Sequence, residues 1–258
     1  MNEYYEVKGR VTKLEQRSPC SSRIEDLANY DNYDVEFSPA GQVLKKILYT
    51  GAMNVQRAEY FTYDDSGKLV LTTELDGTDR CIQISSVENP LKRAQTIWVN
   101  RAPSGKVTGR TVSVYEEDLL VSFTAYVGED QLQRQKTFEY AGLKLLRSDS
   151  KYFGRDGAVN ERWLSSYDSE GRIKETYGLK ADGKPLGDGR YTYEYDGEGR
   201  KRRVWSFNEW DNSVSSVRVY EYICDERGNW IERHAFQRFR SDSDWRRTIT
   251  TRKVAYYL

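Results

Sequence analysis

The chain has 258 residues, with 40 basic and 40 acidic side chains and one histidine. Balanced charge removes the usual electrostatic reason for binding nucleic acid or an anionic membrane, and 20 tyrosines with 6 tryptophans exclude a disordered polar chain. No run approaches the ~18 apolar residues of a membrane-spanning helix, so no membrane span is expected.

The start, Met1 to Lys8, carries acids and lacks the apolar centre of a secretory leader. Cys20, Cys81 and Cys224 are odd in number and form no C-x-x-C pair, which indicates neither a disulfide framework nor a zinc site. Reduced thiols in a bacterial cytoplasm are the simpler expectation, with an exported form as the alternative.

Ser22 and Glu25 have the spacing of a capping box. They predict a short helical cap or loop within 18–32, suited to lie over the exposed edge of a strand array. Val35 to Val43 then reads as an early copy of a repeated unit: aromatic, turn, glycine, aliphatic. Phe61-Thr-Tyr63-Asp64-Asp-Ser-Gly67-Lys68-Leu69 is a clearer copy. Residues 74–110 break the pattern, with Asn89-Pro90 and Ala102-Pro103-Ser104-Gly105 as loop signals, and predict an irregular connection. From Thr111 to Val127 strict alternation returns, with Val112 and Val114, then Val121, Phe123 and Ala125, at every second position.

The unit recurs at Phe138–Gly142, Tyr167–Arg172, Tyr193–Arg200 and Tyr220–Gly228. Glycines 142, 171, 199 and 228 are 29, 28 and 29 residues apart. Self-similarity at such a period marks a repeat architecture. Secondary turn signals fall between the anchors at Gly154–Gly157, Ala181–Pro185 and Trp210–Ser213, so each period of about 28 holds two strands and two turns. The stretch from Arg246 to Leu258 reads as closing strands. The expected fold is all-β: one domain, an elongated, twisted antiparallel sheet of repeated β-hairpins with one short N-terminal helix. About 16 strands at ~4.8 Å spacing would span ~75 Å.

The Tyr-Asp-x-x-Gly-Arg units at Tyr63–Lys68 (lysine for arginine), Tyr167–Arg172 and Tyr195–Arg200 resemble the YD repeats of bacterial RHS-type proteins. In that family β-hairpins wind into a shell around a toxin. The resemblance implies a hairpin array here and, as a role, an immunity or accessory partner of a secreted bacterial toxin. The chain is too short for a closed shell of that kind.

Catalytic constellations are weak. His234 stands without a nucleophile elbow and reads as a plain strand residue. Asp64, Asp168, Asp196 and their neighbours fall at turn tips, where turn chemistry explains them. Asp64–Lys68 lacks the alternating ligands of a calcium loop. Gly183–Gly189 precedes a tyrosine-rich strand instead of the helix a phosphate loop requires. No cofactor or metal is therefore expected, and no enzyme activity.

The most suggestive side chains are Trp205, Phe207, Trp210, Trp230, Phe236 and Trp245, interleaved with Arg202 and Arg246. Rings with arginines could stack single-stranded nucleic acid, but whole-domain basicity is absent. The same mixture makes protein-binding hot spots. The expectation is a non-catalytic protein-binding scaffold; the alternative is an exported carbohydrate-binding surface protein.

Overall fold

The computed structural model describes residues 11–17, 32–50, 52–87, 95–208, 210–241 and 244–256. The expected cap at Ser22–Ala28 lies outside them, and among the described residues there is no helix. By contact the chain divides into two compact units. The first holds Met1–Ser85, Tyr220–Phe236 and Arg247–Leu258; the second holds Ser86–Val219 and Gln237–Arg246.

Eighteen strands form one antiparallel sheet. They are β1 (Val11–Arg17), β2 (Tyr33–Phe37), β3 (Val43–Tyr49), β4 (Val55–Tyr63), β5 (Leu69–Asp76), β6 (Cys81–Val87), β7 (Gln95–Arg101), β8 (Val107–Glu116) and β9 (Leu119–Val127). Then come β10 (Gln131–Ala141), β11 (Lys144–Phe153), β12 (Val159–Tyr167), β13 (Ile173–Lys180), β14 (Pro185–Tyr195), β15 (Lys201–Phe207), β16 (Val214–Cys224), β17 (Trp230–Phe239) and β18 (Arg246–Tyr256). Each strand pairs with the next, and β1 pairs with both β2 and β18, Leu14 lying opposite Val35 on one side and Val254 on the other.

That double pairing corrects the expectation of an open, elongated sheet. The ladder is a closed antiparallel barrel. Closure leaves no row of unpaired N–H and C=O groups, so no edge remains for a cap to shield. The stretch 74–110, expected to be irregular, contains β6 and β7.

The local geometry explains why the repeated motif makes hairpins. After β12, Asp168 N–H donates to the Arg172 carbonyl at 2.8 Å and Gly171 N–H to the Asp168 carbonyl at 3.1 Å. Asp168 Oδ1 accepts the N–H groups of Glu170 (3.0 Å) and Arg172 (2.9 Å), tying the loop to its own first residue. Gly171 has φ +78°, a left-handed conformation that an L side chain resists. The register slips between Ser166 and Tyr167, so the loop ends in a bulge beside the motif tyrosine. The same turn recurs after β4 at Asp64–Lys68 and after β14 at Asp196–Arg200.

The tyrosines have a common job. Tyr63, Tyr140 and Tyr195 donate their hydroxyls to the carbonyls of Val43 (2.8 Å), Leu120 (3.0 Å) and Ile173 (2.8 Å). Each ring thus reaches the start of the preceding strand. Arg172, paired with Asp168 at 2.8 Å, lies 4.7 Å over the Tyr195 ring of the following unit. Asp, Gly and Arg build one turn, and Tyr fastens it to its neighbour.

The first unit adds a conventional core. Val11, Leu14, Tyr33, Val35, Phe37 and Leu48 are buried together, with Val43, Val254 and Tyr256 packed against them. Beside them, Arg252 donates to Gln16 Oε1 at 2.8 Å and lies 3.4 Å over Trp230, and Tyr33 donates to the same Gln16 oxygen at 2.8 Å. The buried amide and phenol are therefore satisfied, as burial requires.

Candidate binding site

Within the second unit, β10 to β15 bring one set of residues onto one face by register. Thr137, Asp149, Leu164, Tyr177, Arg190 and Phe207 stand opposite one another in sequence across six strands. A parallel row runs through Glu139, Arg147, Ser166, Glu175, Thr192 and Trp205. Two hollows lie along these rows. A cavity of about 560 Å³ is lined by Glu139, Arg147, Asp149, Arg162, Leu164 and Tyr177 among others. A second, of about 370 Å³, shares Glu175 and Tyr177 with it and adds Arg190, Phe207, Asn208 and Asn212.

Diagonal ion pairs set the charge pattern. Arg162 grips Asp149 with both arms of its fork, at 3.0 and 2.9 Å, and this hydrogen bonding raises the guanidinium's pKa. Arg190 donates to Glu175 at 2.7 Å and to Asn212 Oδ1 at 2.5 Å while stacking 4.8 Å over Phe207. The floor is thus a checkerboard of opposite charges with Leu164, Tyr177 and Phe207 between them.

At the end of this face, the β15–β16 connection is unusually well braced. Asn208 N–H donates to the Ser213 carbonyl at 2.8 Å, and Trp210 N–H to Asn208 Oδ1 at 2.8 Å. Arg240 pins Asp211 Oδ2 at 2.9 Å and Ser213 Oγ at 2.5 Å. The Ser213 hydroxyl and then the Arg240 guanidinium hold the Asp211 carboxyl far below its ordinary range. On this turn the Trp210 side chain stands 83% exposed.

Of the residues singled out from sequence, Trp205, Phe207 and Trp210 belong to this face and its end. Arg202 lies where the β14–β15 register slips and has no residue opposite it. Trp245 is 44% exposed under Arg238 at 5.1 Å, and Arg246 lies 5.3 Å over Phe239. Trp230 and Phe236 belong to the first unit. Trp230 is taken up by Arg252 and by an edge contact with Tyr222 at 6.1 Å, and Phe236 by Arg247 at 5.7 Å. The expected set is therefore split between two regions. Glu175, Tyr177, Arg190, Asp149 and Arg162 were not foreseen. Their signal was positional parity along each strand, which needs the register before it can be read.

His234 contacts Glu232 on its own strand and accepts from Arg247 at 2.9 Å through Nδ1, with the edge of Phe236 beside it. Among the described residues no group of histidines, cysteines and carboxylates could hold a metal ion, and no helix is long and apolar enough to cross a membrane.

No protein-family model matches the chain, and no curated protein matches it in sequence. Among solved structures, a porin-like protein from Bacteroides uniformis is 12% identical, with 96% of this chain and 99% of that one covered and a TM-score of 0.50. A porin-like protein from Bacteroides vulgatus is 13% identical over 96% and 98%, with a TM-score of 0.43. The TcdB2-TccC3-TEV structure is 12% identical over 81% of this chain and 14% of its own, with a TM-score of 0.25. The first of these is a likeness of fold, and the chain shares with it an all-β architecture.

Proposed function

We propose that the chain is a non-catalytic binding protein that receives a protein partner on the β10–β15 face, with Trp210 as its anchor. The observation that carries this is a turn held by its own hydrogen bonds and by Arg240 that presents Trp210 83% exposed. An anchor whose backbone N–H is already fastened, as that of Trp210 is to Asn208, gives up little entropy on binding, and tryptophan, tyrosine and arginine dominate interface hot spots. The checkerboard beside it supplies register for a partner of complementary charge pattern. Asp149 and Glu175 are committed to Arg162 and Arg190, which leaves little acid–base chemistry in the cavity. An immunity or accessory role toward a secreted toxin is one relation of this kind, and it rests on the YD-repeat resemblance.

We place the barrel in water, although its structural neighbours include porin-like proteins. A lipid-facing strand needs one apolar row. Mid-strand β10 shows Arg134, Lys136 and Phe138 on one face and Gln135, Thr137 and Glu139 on the other. Mid-strand β12 shows Glu161, Trp163 and Ser165 against Arg162, Leu164 and Ser166. Neither strand offers lipid a continuous apolar surface.

The test is capture from the source cell with the full chain as bait. A defined protein should be retained by the parent, lost with Trp210→Ala and Arg190→Ala, and kept with Lys174→Ala. Equal capture by all four would overturn the reading. A carbohydrate ligand is the second reading, favoured by Tyr177 and the planar Arg162–Asp149 pair lining a cavity of about 560 Å³. Saturable glycan binding lost with Tyr177→Ala would establish it. Recovery of the protein only in detergent would place it in a membrane.

A further inference from the structure

On the opposite face of β10, two cations stand together without a counter-ion. Arg134 and Lys136 are one pleat apart, so their side chains project to the same side. Arg134 lies opposite Ala125 and Tyr152, and Lys136 opposite Phe123 and Ser150. One strand further out, the same face carries Thr111 and Ser113 on β8, and Glu161 and Trp163 on β12. Of these residues only Glu161 is a carboxylate. It sits two strands from Arg134, roughly 10 Å away, and accepts the Trp163 indole N–H at 3.3 Å.

Among the described residues neither cation makes an ion pair, and Arg134 Nε is buried with no hydrogen-bond partner. Burial and then the neighbouring Arg134 charge lower the Lys136 pKa. Rings hold both groups: Arg134 lies 4.9 Å over Tyr152 and 5.8 Å over Phe123, and Lys136 lies 4.7 Å over Phe138. A ring face steadies a cation and leaves it charged. A guanidinium lying flat on a ring keeps its N–H edge free, which is the fork that fits an oxyanion. Two other arginines have a buried, unpartnered Nε. Arg110 has a single ring partner, Tyr126, and Arg233 donates to Thr250 at 3.2 Å. Only Arg134 has a second cation beside it on its own strand face.

We propose that Arg134 and Lys136, with the Ser150 hydroxyl opposite, form a binding site for a phosphate-type oxyanion. Arg134 supplies the fork, Lys136 a second charge, and the surrounding rings a local dielectric low enough to strengthen both. Both residues are partly exposed, so an anion reaches them from solvent. The site is independent of the proposed protein-binding face.

The experiment titrates the full chain with inorganic phosphate, and separately with a phosphoserine peptide, against chloride at matched ionic strength. Lys136 is followed by its side-chain NMR signals. A saturable Lys136 shift with inorganic phosphate identifies a free anion as ligand. A shift with the phosphopeptide alone identifies an anion carried on a polypeptide. In either case Arg134→Gln should weaken binding by about tenfold or more, and Lys174→Gln should leave it unchanged. Bound phosphate should also raise the parent's unfolding midpoint; Lys136→Met keeps the apolar stem on Phe138, so without phosphate its midpoint should be no lower than the parent's, and with phosphate it should not rise. Absence of a Lys136 shift with both probes overturns the proposal, as does an undiminished shift in Arg134→Gln or an undiminished midpoint rise in Lys136→Met.

Discussion

The first unit hides Leu14, Val35, Leu48 and Tyr33 in an apolar knot, whereas the second buries Val99 and a set of serines. Ser148, Ser150 and Ser206 are among its most buried side chains, and Ser206 hydrogen-bonds to Ser215 and Ser216 at 2.7 and 2.8 Å. Gly178 leaves room for the Trp163 ring, 3.0 Å from where a Cβ would stand. The difference follows from what each region must accomplish. Both units carry motif copies, the second at Phe138–Gly142, Tyr167–Arg172 and Tyr193–Arg200 and the first at Phe61–Leu69 and Tyr220–Gly228, and their turns and tyrosines fasten hairpin to hairpin. The first unit must join β1 to β18, strands with no motif in common, and it does so by burying hydrocarbon around a satisfied Gln16–Tyr33–Arg252 network.

The largest expected effect tests that division. Leu14→Ala should destabilise the chain by about 2–5 kcal/mol through lost burial and a residual cavity. The matching deletion in the second unit, Leu164→Ala on a half-exposed face, should cost about 1 kcal/mol or less. Denaturant unfolding measures both, and equal losses would erase the contrast. Gly171→Ala comes next. Its added methyl meets nothing within 4 Å, so the cost is purely that of positive φ, about 1–2 kcal/mol. Tyr195→Phe removes one hydroxyl from the Ile173 carbonyl and leaves the ring under Arg172, for a loss of about 1 kcal/mol.

Acid provides the mildest probe and reaches both units. The Thr78 hydroxyl and N–H hold Asp76 at about 2, and the Ser66 hydroxyl lowers Asp64. Burial pushes Asp168 up, but the N–H and guanidinium of Arg172 outweigh it and the net shift is downward. A depressed carboxylate stabilises the fold above its unfolded value of about 3.9, and that contribution disappears as pH falls through the folded value. The unfolding midpoint should therefore be flat from neutrality to about pH 4 and fall between there and about pH 2. A midpoint that declined already at pH 6 would count against the turn aspartates as its source.

Strands and turns were legible because they are local. Tyr193, Asp196 and Gly199 announce alternation, an Asx turn and a left-handed residue within seven positions. Closure was not, since it depends on contacts such as Gln16 with Arg252, separated by 236 residues. Hydrophobic pattern says that an edge must be covered; it does not name the strand that covers it. The same limit applies to the binding face. Trp205, Phe207 and Trp210 stood out by residue type. Asp149, Glu175 and Arg190 are ordinary charged residues until pairing aligns them, and Trp230, equally conspicuous, is spent on packing against Arg252.

The pairing of β1 with β18 also sets a timetable for the ribosome. Val11–Arg17 is made before the other described strands, yet one of its two hydrogen-bonded neighbours, Arg246–Tyr256, is made after them. While β2 to β17 are being made, the nascent chain carries β1 with one flank bare, which is the condition under which strands of different chains adhere. Such a polypeptide gains from fast elongation and a holding chaperone, and a copy stalled before Arg246 would be more prone to aggregate than the closed barrel.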